Sequence, residues 1–265
     1  MIPHALSGLS FIERFYSYPL VQSTSDTARA LRTPPVKGMY CIQADRQAAG
    51  RGRRGVRFFS DSTGGLWVSL VVPMEDPGDH FNFNRALSLA VTLTLDQCER
   101  NPPIAIKWPN DIYWGEKKIC GIILENHPVF HNVLIIGFGI NVNIAFDEFP
   151  EELRKIATSV LIETGRRCSL SALLRAMLKQ YMVILSSNRE KVHELYLRRL
   201  YGIGTTIGIN GMVGRFSGVA PDGQLLLINN GIPVQVTSGS PVFLDMPDSS
   251  SLRAPEEKAQ PRESP

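Results

Sequence analysis

Four short segments hold residue types that can do chemistry. The first is Gln47 followed by Gly50-Arg51-Gly52-Arg53-Arg54-Gly55. Glycines let a backbone approach an anion and expose its N–H groups. Guanidinium forks bind phosphate or carboxylate at two points. Such a loop can close over a negatively charged reaction centre, although a solvated basic loop or an Arg-Gly segment on RNA uses the same residues. The second segment is Lys107-Trp108-Pro109-Asn110-Asp111. Proline cannot continue a sheet ladder, so Asn110 and Asp111 emerge together at a strand end. Lysine, amide and carboxylate there can take a phosphate, a base or ribose, and magnesium; the plainer alternative is an Asn-Asp turn beside a core tryptophan.

The third segment runs Lys117-Lys118-Ile119-Cys120-Gly121-Ile122-Ile123-Leu124-Glu125. Adjacent lysines on a strand point to opposite faces. One must then face the covered side and needs an anionic partner, unless both sit in a hairpin mouth. Gly121 admits a close approach to the backbone. The fourth segment, Gly137-Phe138-Gly139-Ile140-Asn141-Val142-Asn143, lacks the third glycine and the following helix of a dinucleotide fingerprint. It reads instead as a strand whose glycines admit a flat ligand, with Asn141 bonding it. No Ser/His/Asp set accompanies the five histidines. Cys41, Cys98, Cys120 and Cys168 lack CxxC spacing and read as reduced thiols, not as a zinc site or disulfides.

The elements that must position these residues follow from periodicity. Residues 1–20 read as an aromatic lead-in, and Ser23, Thr24, Ser25 and Asp26 offer N-caps for a helix through Leu31. Strands are expected at 38–44 and 65–72, a long loop at 46–64 and a helix at 83–98. Further strands fall at 104–108, 112–114, 118–125 and 133–141, joined closely enough for antiparallel pairing. Residues 149–157 and 169–200 read as helical. Five β-like runs between Gly204 and Leu244 are separated by Asn-Gly and Asp-Gly hairpin signals. The division expected is a catalytic domain at 1–201, a small β-barrel at 202–246 and a disordered tail at 247–265.

The chain has 265 residues, 43% hydrophobic and 20% charged, with a net charge of +3. That charge is too small to argue for nucleic-acid binding by itself. The N-terminus has no signal-peptide pattern, and 134–140 is too short to span a membrane. A cytoplasmic protein is expected.

Taken in order, GRGRRG, KWPND, KKICGIILE and GFGINV resemble the biotin–protein ligases, over about residues 11–245. The resemblance implies an α+β fold: a mixed sheet with helices, like the class II aminoacyl-tRNA synthetase core, plus the small C-terminal barrel. It implies an ATP-dependent, AMP-forming ligase that makes biotinyl-5'-AMP and transfers biotin to a lysine of a biotin carboxyl carrier protein; a lipoate or other acyl ligase is the nearest alternative. Ser23, Thr24, Ser25, Gln47, Arg51, Gly52, Arg53, Lys118 and Gly121 match biotin-binding positions. Arg53, Phe58, Lys107, Asn110, Asp111 and Asn141 match ATP-binding ones. Lys118, Arg51 and Arg53 would carry catalysis, with Mg2+ arriving on the ATP phosphates and no protein metal site. The family's loop commonly continues to a tryptophan where this chain has Phe58, and Ser25-Asp26 departs from its Asn-containing version. Only about 20 residues precede Ser23, too few for a helix-turn-helix domain, so no operator DNA binding is expected. A homodimer paired through a sheet strand is compatible with the pattern.

Overall fold

The computed structural model describes residues 8–98 and 103–245. The expected tail at 247–265 lies outside the described residues. Seven strands form one sheet in the order β1-β2-β3-β7-β6-β5-β4. They are β1 (Ile12–Val21), β2 (Met39–Gln47), β3 (Gly65–Pro73), β4 (Ile104–Lys107), β5 (Asp111–Trp114), β6 (Lys117–Asn126) and β7 (Val133–Asn141). β1 pairs with β2 in parallel, and every other pairing is antiparallel. The aromatic lead-in is therefore an edge strand from Ile12 onward. Its half-exposed mixture of Tyr, Ser and Pro19 hides the two-residue period in the sequence, and an edge tolerates that proline.

Alternation along β3 and β7 divides the sheet into two faces. Leu66, Val68, Leu70, Leu134, Ile136 and Ile140 join the main core. Helices α2 (His80–Leu95), α4 (Leu170–Leu185) and α5 (Arg189–Arg198) pack on that side, α4 against α2 and β3. The opposite face carries Trp67, Ser69 and Val71, with α1 (Thr24–Arg29) laid over β2, β3 and β7. α1 starts where the sequence predicts: Ser23 is extended, and its hydroxyl accepts from the Ser25 N–H at 3.2 Å.

Two helical expectations change. Residues 149–157 hold only a short 3-10 turn at Glu151–Leu153, and the nearby helix is α3 (Val160–Thr164), ended by Gly165 in the left-handed region at φ 68°. The run 169–200 is two helices, because Asn188 caps α5 by accepting from the Glu190 and Lys191 N–H groups.

The second sheet has the order β11-β10-β9-β8-β12, from β8 (Thr206–Ile209), β9 (Met212–Val219), β10 (Leu225–Asn229), β11 (Ile232–Val236) and β12 (Val242–Phe243). Asn210-Gly211 and Asn230-Gly231 take positive φ at both central residues, which is the turn whose twist matches a hairpin. Among the described residues no ladder joins β11 to β12, so the small expected barrel is an open five-stranded sheet. Trp108 ties the two sheets together by donating its indole N–H to the Gly223 carbonyl at 2.9 Å.

Leu174 of α4 is fully buried between helix and sheet. Leu174→Ala is expected to cost about 2–5 kcal/mol and to lower the melting temperature by roughly 5–15 °C. Calorimetry showing less than about 1 kcal/mol would mean that this layer can collapse around the cavity.

Candidate functional site

The face of the sheet under α1 has a row of missing side chains. Across the strands Trp67 pairs with Gly139, Gly139 with Gly121, and Gly121 with Asp111; one step along, Ser69 pairs with Gly137. Gly121, Gly137 and Gly139 thus form a bare floor between Trp67 on one side and Asp111 on the other. A Cβ on Gly139 would lie 2.6 Å from the Phe58 ring, and one on Gly137 would lie 2.6 Å from the Ser25 hydroxyl. The flat group resting on these glycines is therefore the chain's own Phe58, edge-on to Trp67 at 6.0 Å between ring centres. Phe58 belongs to the wall beside Lys118, whose ammonium stands 5.5 Å from its ring centre.

Lys118 reaches this floor because β6 is irregular. Ile112 pairs with Cys120 but Tyr113 pairs with Lys118, so Ile119 is an extra residue. A bulge of this kind shifts the alternation by one. Lys118 and Gly121 consequently share a face, and the Lys118 Nζ lies 3.2 Å from where a Gly121 Cβ would stand. Its anionic partner is Asp111, with Nζ to Oδ1 at 2.7 Å. The lysine thereby meets, in a partly enclosed place, the anion that its position on the strand requires. Its backbone is fixed as well: the Lys118 N–H donates to Ile156, and its carbonyl accepts from the Thr158 N–H.

At the other end of the floor a buried hydroxyl chain is assembled. The Gln47 side-chain carbonyl accepts from the Thr24 N–H at 2.7 Å and from the Thr24 hydroxyl at 3.1 Å. Ser69 donates to the Thr24 hydroxyl at 2.8 Å and shares a 3.1 Å hydrogen bond with Ser25. All four side chains belong to buried residues. Ser69 is the member that sequence reasoning missed; the signal was a single hydroxyl in an otherwise apolar strand.

The arginine-glycine loop covers the opening. It is a tight hairpin in which the Gly52 N–H donates to Val56 at 2.7 Å and the Phe58 N–H to Gly50 at 2.9 Å. Gly55 turns it at φ 75°. Arg53 donates to the Asn110 side-chain oxygen at 3.3 Å and to the Gly239 carbonyl at 3.4 Å, so the loop touches both sheets. Arg51 turns the other way and pairs with Asp26 on α1. Together these groups bound a cleft of about 270 Å³.

The lining includes Ser23, Thr24, Ser25, Gln47, Arg51, Gly52, Arg53, Phe58, Asn110, Asp111, Lys118 and Gly121. Two sequence-nominated residues lie outside it. Lys107 donates to the Tyr113 hydroxyl at 3.2 Å and rests on the Tyr113 and Phe243 rings, with burial lowering its pKa. Asn141 donates to the Thr158 carbonyl at 2.9 Å, pinning the segment that pairs with Lys118. The four cysteines are free. Among the described residues no group of three His, Cys, Asp or Glu side chains could hold a metal ion, and no helix is long and apolar enough to cross a membrane.

Comparison with known proteins points to one kind of molecule. Residues 18–141, from β1 through β7, match the model of the biotin/lipoate A/B protein ligase family. The biotin–[acetyl-CoA-carboxylase] ligase of Paracoccus denitrificans is 30% identical over 223 residues, covering 78% of this chain and 92% of that protein. The bifunctional ligase/repressor BirA of Bacillus spizizenii is 31% identical over 218 residues, covering 78% of this chain and 67% of its own. A solved biotin protein ligase from Aquifex aeolicus, in complex with biotin and ATP, superposes with a TM-score of 0.75 at 26% identity. That match covers 87% of this chain and 98% of the other.

Replacing Ser69 with alanine removes the hydroxyl that joins Thr24 to Ser25 in a buried place. Denaturant melts are expected to show a loss of about 1–3 kcal/mol. An unchanged midpoint would mean that the hydroxyl chain does not hold α1 on the sheet.

Proposed function

We infer what the cleft does from the premise that this chain belongs to the biotin–protein ligase family. It is a biotin–protein ligase with a class II aminoacyl-tRNA synthetase-like core: it joins biotin to AMP at the expense of ATP and passes the biotinyl group to a protein lysine. The observation that carries this reading is that a hydroxyl-and-amide end, a glycine floor and a lysine–arginine end follow one another in one cleft.

In our reading the ureido ring of biotin lies among Ser23, Thr24, Ser25 and Gln47, whose hydrogen-bonding groups are already ordered by one another. Its apolar ring and chain run along the glycine floor past Phe58 and Trp67. The carboxylate then arrives at Lys118, with Gly121 beneath it, and the nucleotide takes Arg53, Asn110 and the neighbouring backbone. Lys107 and Asn141 support these positions from behind, through β12 and the 156–158 segment respectively.

Adenylate formation brings a carboxylate oxygen onto the α-phosphorus of ATP and releases pyrophosphate. Two anions must meet, so the chain's task is to neutralise and align them. Lys118 and Arg53 supply the positive charge. Asp111 keeps Lys118 aimed, and it is the carboxylate in the cleft suited to touch a Mg2+ ion carried in on the phosphates. When bound, that ion would neutralise charge on the departing pyrophosphate. The mixed anhydride is hydrolysable, and residues 50–57 shield it from water. A lysine ε-amine of a carrier protein then attacks the acyl carbon, and AMP leaves without a covalent enzyme intermediate. The proposed partner is a biotin carboxyl carrier domain, and the proposed setting is the cytoplasm. The repressor activity in the names of the bifunctional relatives is not carried over to this chain.

The direct test is intact-mass spectrometry of a biotin carrier domain incubated with this protein, biotin and Mg·ATP, with lipoate in parallel. An ATP-dependent gain of one biotinyl group is expected. A gain with lipoate alone would keep the fold and reassign the substrate.

Lys118→Ala is expected to slow adenylate formation about 100- to 1,000-fold, with an unaltered circular dichroism spectrum. Near-parental pyrophosphate release would remove Lys118 from the chemistry. Arg53→Gly is expected to release the adenylate early, so that bystander proteins are biotinylated beside the carrier. Labelling confined to the carrier on a streptavidin blot would contradict a sealing role for Arg53.

A further inference from the structure

Asp26 does not line the cleft, yet it is where the arginine loop meets the body of the protein. Its Oδ1 receives the Arg51 guanidinium from the loop and, at 3.2 Å, that of Arg29 on its own helix. Arg29 in turn meets Glu125 on β6. Asp26 and Arg29 stand three residues apart and so share one face of α1. The result is a line of alternating charge, Glu125–Arg29–Asp26–Arg51, running from the sheet to the loop. Each of these side chains is between 24% and 43% exposed, so the line is neither sealed off nor fully solvated.

The loop depends on such contacts. The backbone hydrogen bonds of its tip are internal: Gly52 to Val56, Val56 to Arg53 and Phe58 to Gly50. Arg57 donates to Ala48 at the loop's own base. The tip is therefore placed over the cleft by side chains, with Arg53 on the Asn110 and Gly239 flank and Arg51 on the α1 flank.

We propose that Asp26 is a positioning residue that latches the arginine loop over the cleft by holding Arg51. Arg51 then sets the place of the lid and leaves charge neutralisation at the reacting anions to Lys118 and Arg53. The intermediate that the lid guards rests on the ligase reading, whereas the latch can be tested without any substrate.

The loop carries its own reporter, because Arg51, Arg53, Arg54 and Arg57 are cleavage points for trypsin. The full chain and its Asp26→Asn variant would be nicked briefly with trypsin and analysed by intact mass, with cleavage at 51–57 normalised to cleavage elsewhere. The variant should open about two- to fivefold faster at low salt, the range of an exposed ion pair. The difference should shrink near about 1 M salt, where such pairs are screened. Arg51→Gln should speed nicking at the remaining loop sites by a similar factor, and adding D26N to it should change little more, which a general weakening of α1 would not reproduce. With biotin and ATP present, D26N should also release its biotinyl adenylate faster by a similar factor. Equal nicking of parent and D26N, or additive effects of D26N and R51Q, would overturn the latch. Failure to form any adenylate would remove the ligase reading while leaving the trypsin comparison intact.

Discussion

Three glycines on two neighbouring strands set the depth of the cleft, and the rest of the site is arranged around that absence. A β-carbon at position 139 would strike Phe58 and Trp67, and one at 137 would strike Ser25 and Ile123. The constraint is geometric before it is chemical. With side chains on that row, α1 could not lie close enough to the sheet for Thr24 and Ser25 to reach Ser69. The aromatic wall could not tuck beneath the loop either. The cost of glycine inside a strand, about 0.5–1 kcal/mol each relative to alanine, is carried by a sheet buried on both faces.

Two kinds of pre-ordering meet over this floor. At one end neutral groups satisfy one another, so Gln47, Thr24, Ser69 and Ser25 are fixed before any ligand arrives. At the other end charged groups are held by their partners, Lys118 by the opposite charge of Asp111 on the neighbouring strand and Arg53 by the Asn110 amide oxygen across the loop. Ordering of both types reduces what binding must freeze. The second sheet takes part through Gly239, whose carbonyl meets Arg53, and through Gly223, whose carbonyl receives Trp108.

Much of this could be read from the sequence because it is local. The N-cap at Ser23, the hairpin turns at Asn210-Gly211 and Asn230-Gly231, and the need of a strand lysine for an anion all follow from nearest neighbours. Harder to read was what depends on register between distant strands. Ser69 looks like a lone polar interruption until β3 is set against β7, where it falls opposite Gly137. Phe58 reads as a stand-in for another aromatic; only the pairing of Gly121 with Gly139 shows what it rests on. β1 is hard to read because its inward residues include the half-buried Tyr16 and Tyr18 and its exposed ones Ser17, Pro19 and the apolar Leu20, which blurs the alternation. The break at Asn188 had a local signal, the polar run Ser186-Ser187-Asn188-Arg189 with a side chain able to cap the next helix.

The extra residue at Ile119 makes the lysine end of the cleft a matter of counting. A regular strand would send Lys118 and Gly121 to opposite sides of the sheet; one inserted residue brings them together. Substitution at 119 by another buried aliphatic side chain would leave that count intact. Deleting a single codon there would not, even with every charged residue still present in the chain. Lineages of such proteins should therefore drift in the identity of this residue far more readily than in its number. An aligned gap at this place would mark a chain whose lysine has left this face of the sheet while the fold is kept.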